Sequence, residues 1–141
     1  MRVFKYGSKT KLVTININRY KIDWENDGAS KIERQFRDLI YPFWKNQIVL
    51  FQPRIPSSLL RLDFLNVNKK LAVEVDGKQH NEFNKHFHNN SKNNYLASIR
   101  RDIEKENWMA DNKISLLRLV EDDLDNFSYE YILDKFGVSI L

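Results

Sequence analysis

Apolar and polar residues alternate over 11–24, Lys-Leu-Val-Thr-Ile-Asn-Ile-Asn-Arg-Tyr-Lys-Ile-Asp-Trp, which predicts a strand or a hairpin. Asn26-Asp27-Gly28 breaks that pattern. Ser30 followed three residues later by Glu33 is a capping-box signature and starts a helix. Its apolar stripe is Ile32, Phe36, Leu39, Ile40 and Phe43, and Pro42 is expected to end or kink it. Three strand-like runs follow at 47–52, 60–67 and 70–76, parted first by Pro53 and Pro56 and then by Asn68-Lys69. Residues 81–94 are polar, rich in Asn and His, and read as an exposed loop. A helical period returns from Ser91 or Lys92 to Asp111, with Tyr95, Leu96, Ile99 and Ile103 as its expected buried stripe. A strand at 115–120 and a short helix from Ser128 to Phe136, closed by Gly137, complete the pattern. The order α-β-β-β-α-β predicts an α/β domain over 29–141, with a small β extension or arm over 1–28.

Composition narrows the class. With 42% hydrophobic and 13% aromatic residues, 141 residues suffice for one packed core. The chain has no cysteine, which excludes disulfides, thiolate catalysis and Cys-based zinc sites and suits a reducing cytoplasm. No run is long and apolar enough for a membrane span, and the start does not look like a signal peptide, so no membrane partner is expected. A net charge of +4 leans toward a polyanionic partner. Trp44 and Trp108 are expected to pack rather than to stack on bases, and Glu121-Asp122-Asp123 to be a solvated strand end. His86 and His88 flank Phe87 in the polar loop, where contact with DNA or plain solvation is a better reading than a metal site.

Residues 60–76 carry the chemistry. If Asn68-Lys69 is the two-residue turn of a hairpin closed by Val67 and Lys70, then Phe64 faces Val73 and Asp63 faces Glu74. The two acidic side chains then share a sheet face with Cβ atoms about 4.5–5.5 Å apart, and Asp76 shares that face. Leu62, Phe64, Leu71 and Val75 form the other face, toward the core. Opposed like charges are destabilising unless something neutralises them. Lys and Arg on a solvated face would do so, and so would a Mg²⁺-like cation, which takes one or two carboxylates plus waters and phosphate.

Asp63 in Arg61-Leu62-Asp63-Phe64, then Glu74-Val75-Asp76-Gly77-Lys78-Gln79-His80, then Arg100-Arg101-Asp102 resembles the PD-(D/E)XK nuclease superfamily. Within it, the pattern is similar to very-short-patch-repair endonucleases and phage-type homing endonucleases. Glu33, Lys105, Trp108 and the strand Leu116-Leu117-Arg118-Leu119 extend the likeness over about residues 30–120. The resemblance implies a restriction-endonuclease-like core with a mixed four-stranded sheet. It implies Asp63 and Glu74 as metal ligands, His80 near the scissile phosphate, and Glu33 and Asp102 as flanking acidic positions. One departure stands out: the superfamily's lysine, two residues after the Glu, is Asp76 here. His80 is the preferred substitute, Lys78 then contacting phosphate, and Asp76 could hold the turn through Gly77.

At about 100° per residue, Glu33 and Asp102 each sit at the edge of an apolar stripe, able to face a sheet-edge site. Glu33 needs no catalytic reason to exist in a capping box, and Asp102 could pair with Arg101 or Lys105. The expected function is a Mg²⁺- or Mn²⁺-dependent DNA endonuclease of homing or repair type, in a bacterial or phage-infected cytoplasm. Arg61, Lys78, Arg100, Arg101 and Lys105 would contact phosphates, and a homodimer would permit cutting of both strands. The rivals are a structure-specific RNase, a catalytically silent nucleic-acid-binding module and an unrelated interaction domain.

Overall fold

In a computed structural model, residues 1–26, 28–77 and 92–141 are described. Lys78, His80, His86 and His88 lie outside those residues. The elements run β1 (Arg2–Phe4), β2 (Leu12–Thr14), α1 (Ile17–Tyr20), α2 (Lys31–Trp44), β3 (Val49–Phe51), β4 (Phe64–Asn66) and β5 (Leu71–Asp76). They continue with α3 (Lys92–Asp111), β6 (Ser115–Val120), α4 (Glu121–Asp125) and α5 (Tyr129–Phe136). β3-β4-β5-β6 form a mixed four-stranded sheet, antiparallel up to β5 and parallel between β5 and β6. β1 and β2 make a separate two-stranded sheet.

Local chemistry sets the boundaries. Ser30 accepts from the Glu33 amide while Glu33 accepts from the Ser30 amide, so the capping box forms. Of the end or kink expected at Pro42, an end is excluded, since helix α2 runs on to Trp44. Proline costs it the bond to the Asp38 carbonyl, and Asp38 and Pro42 are both exposed, so water can serve that oxygen. The expected strand over 11–24 is only β2, because Asn16 caps α1 by accepting from the Arg19 amide. The β4–β5 loop has four residues, 67–70, rather than two, with Lys70 at φ 49 and its amide donating to the Val67 carbonyl. Both loops are symmetric about the same point, so the register is the expected one: Phe64 faces Val73.

Each sheet face has its own core. Phe64, Val73, Val75, Leu117 and Leu119 pack under Phe36, Ile40 and Trp44 of α2, with Leu124 of α4 and Ile132 of α5. On the opposite face Leu65 and Ala72 meet Trp108 and Met109 of α3 and Val3 and Ile15 of the N-terminal segment. Trp108 donates its indole N–H to the Phe4 carbonyl at 2.7 Å, and the Phe4 amide donates to Asn112 Oδ1 at 2.7 Å. The first residues are thus stitched to the end of α3. Both tryptophans singled out in the sequence are buried.

Three expectations are corrected. Leu62 packs with Leu65 and Ala72 rather than with Phe64, because the chain bends at Asp63 opposite Gln52, whose φ is 51. In α3, Leu96, Ile99 and Ile103 are exposed, and the buried residues are Trp108 and Met109. Glu121-Asp122-Asp123 follows β6 as the first turn of α4, with Glu121 and Asp122 exposed as expected and Asp123 not. There Asp123 is buried and accepts from the Val120 amide, Tyr131 and Lys135. Burial alone would push its carboxyl up, but Lys135, the Val120 amide and Tyr131 outweigh it and hold the group below the ordinary range.

Candidate active site

The β4–β5 ladder ends at Phe64–Val73, and the chain diverges at the bend on Asp63. Backbone amides that lose ladder partners there are taken by side chains. Glu74 Oε2 accepts from the Asp63 amide at 3.0 Å, and Asp63 Oδ2 accepts from the Val75 amide at 2.9 Å. The two carboxyl groups are thereby locked beside one another at the fork of the hairpin, as the register predicts. Burial, then the charge and hydrogen bond of Glu74, push the Asp63 carboxyl up to about 8, with Glu33 adding a smaller push. At neutral pH Asp63 therefore holds a proton.

Cations approach from α3 and β6. Lys105 Nζ donates to Glu74 Oε1 at 3.0 Å, with both groups largely buried. Arg118 faces Glu74 across the parallel β5–β6 pair, and its guanidinium reaches Asp76 at 3.0 Å, Glu106 at 3.4 Å and Asp102 at 3.8 Å. Partial burial pulls Arg118 down, but Asp76, Asp102 and Glu74 outweigh it and raise it. Partial burial likewise raises Asp102 against the opposing pull of Arg118 and Lys105. Asp76 is thus tied to β6 as the partner of Arg118.

These groups line a cleft of about 1070 Å³. Glu33 reaches it from α2 and, besides its capping bond, accepts from Gln52 Nε2 at 3.2 Å, so the capping and site-facing readings hold at once. Of the residues expected from sequence, Glu33, Asp63, Glu74, Asp102, Arg61, Arg101 and Lys105 all line the cleft. Arg100 is exposed on α3 and stands outside the lining. Arg118 was visible only as part of a strand. Its signal is its place one strand away from Glu74, which becomes readable once the β5–β6 crossover is known to be parallel.

Among the described residues the cleft carries six carboxylates (Glu33, Asp63, Glu74, Asp76, Asp102, Glu106) against four cationic side chains (Arg61, Arg101, Lys105, Arg118). Asp76, Asp102 and Glu106 share Arg118, and Glu74 has Lys105. Asp63 answers its excess charge by holding a proton instead. Asp63 and Glu74 could together give a cation two hard oxygen donors. Among the described residues no group of three or more His, Asp or Glu gathers to hold a metal ion. Comparison with protein families, with curated proteins and with solved structures gave no match.

Proposed function

We propose that the chain is a divalent-cation-dependent DNA endonuclease centred on Asp63 and Glu74. The observation that carries this reading is the carboxylate pair at the hairpin fork, each member accepting from a backbone amide of the other's strand. Two carboxyl groups side by side in an open cleft, one of them able to give up its proton, suit a cation as guest. Two carboxylates fit Mg²⁺ or Mn²⁺, which retain waters and accept substrate oxygens for the rest of their coordination. When bound, such an ion supplies Lewis-acid chemistry, polarising a phosphoryl oxygen and lowering the pKa of a water.

The chain's own groups do the remainder. Lys105 brings an ammonium from α3 to Glu74, while Asp76 is engaged with Arg118. It holds Glu74 in place and offers a charged donor to a phosphate as negative charge builds on its oxygens. Arg61 and Arg101, exposed on the cleft wall, supply phosphate contacts that fix register without reading sequence. His80 is assigned general acid-base work on the resemblance alone. The homing or repair role, the cytoplasmic setting and a homodimer able to cut both strands belong to the same proposal.

Purified protein is expected to nick or cut supercoiled, linear, mismatched or branched DNA with Mg²⁺ or Mn²⁺, and to fall by at least about 10³-fold in Asp63→Asn. His80→Ala is expected to lose cleavage as well. No cleavage of any of these substrates with either ion would overturn the enzyme reading.

A further inference from the structure

Beyond the end of β3 the chain forms a second hairpin whose tip points away from the fork. Arg54 and Arg61 are directly paired across it in antiparallel register. Opposed side chains share a face, and like charges there cost stability. Among the described residues neither arginine has an acidic partner. Each is held instead by a backbone carbonyl: Arg54 Nε donates to Ser58, near the tip, and Arg61 Nη1 donates to Gln52, at the base, at 2.9 Å. The anchors lie at opposite ends of the hairpin, so the guanidiniums are spread along it.

At the tip stands Leu59, 84% exposed. Its loop is closed by bonds from the Ile55 amide to the Leu60 carbonyl at 2.8 Å, the Ser58 amide to the Ile55 carbonyl at 3.1 Å, and the Leu60 amide to Ser58 Oγ at 3.0 Å. Arg61 and Leu59 line the same cleft as Asp63. Two guanidiniums held by the backbone, without acidic partners among the described residues, and an apolar side chain held out at the same tip match a partner that carries anionic groups beside apolar faces. A nucleic-acid strand is built in that way, with a phosphate at every step and a flat base beside it.

We propose that the 52–63 hairpin grips the substrate strand beside the scissile bond, Arg61 and Arg54 taking two successive backbone phosphates and Leu59 resting against a base. This rests on the nuclease reading and adds where the strand lies in the cleft.

The test is fluorescence anisotropy of a 20-base-pair duplex and a 20-nucleotide single strand, with Ca²⁺ to permit binding while suppressing cleavage. Wild type, Arg54→Gln, Arg61→Gln, the double variant with both, Arg61→Lys, Leu59→Ser and the exposed control Lys45→Gln are compared over a salt series. Each Arg→Gln change is expected to weaken binding and flatten the duplex salt slope by about 0.9, additively in the double variant. Arg61→Lys keeps the slope, Leu59→Ser weakens binding at unchanged slope, and Lys45→Gln changes neither. Wild-type binding with slopes untouched by both arginine changes, or flattened equally by Lys45→Gln, overturns the grip and leaves the nuclease reading standing. Wild type that neither binds nor cuts DNA overturns the nuclease reading itself, and the grip with it.

Discussion

Because Asp63 keeps its proton up to about pH 8, its folding is coupled to pH in one direction. In the unfolded chain an aspartate ionises near its ordinary value, so between there and about 8 the folded protein binds the extra proton. The stability this proton supplies is complete below the ordinary carboxylate range and is lost as pH rises through about 8. Asparagine at this position is uncharged at every pH, can still accept from the Val75 amide, and can donate to Glu74. In the absence of divalent ions, Asp63→Asn should therefore melt about 2–5 °C above wild type at pH 8.5 and level with it at pH 4. Parallel melting curves for the two proteins across that range would place the proton elsewhere. Asp123 works the other way: its carboxyl is held low, so its contribution is present above the ordinary range and fades as pH falls through the lowered value.

At the scale of elements, the end of α3 offers a backbone test. The Ile114 amide donates to the Met109 carbonyl at 2.9 Å and the Lys113 amide to Ala110 at 3.1 Å, a Schellman closure with Lys113 at φ 56. A lysine in left-handed backbone is strained where glycine is not. Lys113→Gly is expected to stabilise by about 0.5–1 kcal/mol in urea unfolding, and a loss of stability would contradict that account. Sequence and structure agree where a local signal decides the element: the Ser30–Glu33 box, the Ser128 cap with Gly137 at φ 69, and the strand 115–120. They part where elements are too short to show a period, as in β1, α1 and α4. They part also in α3, where an apolar stripe lining a cleft has the same periodicity as one covering a core. The carboxylate pair was legible because hairpin register is set by symmetry. Lys105 was legible as a cation and not as the partner of Glu74, since no local rule relates a helix face to a strand that far away in the chain.

For the whole molecule, the two cores divide the labour. Helices α2, α4 and α5 close one face of the sheet, while α3 and the N-terminal strands close the other only over its lower half. The upper half of α3 stands off and makes one wall of the cleft, with Ile99 and Ile103 exposed on it. A cation entering there must displace the proton on Asp63. On the proposed reading, millimolar Mg²⁺ should raise the melting temperature more at pH 8.5 than at pH 6, with proton release in calorimetry at the lower pH. An equal shift at both pH values would argue that the ion binds elsewhere.

The fork between β4 and β5 has a practical bearing on how an inactive control should be made. Truncating Asp63 to alanine strands the Val75 amide, and truncating Glu74 strands the Asp63 amide, so either change unpicks the sheet's split end along with the chemistry. Amide isosteres keep the scaffold's seam closed while removing the ionisable group. A silent protein made that way reports on catalysis, whereas one made with alanine confounds it with misfolding.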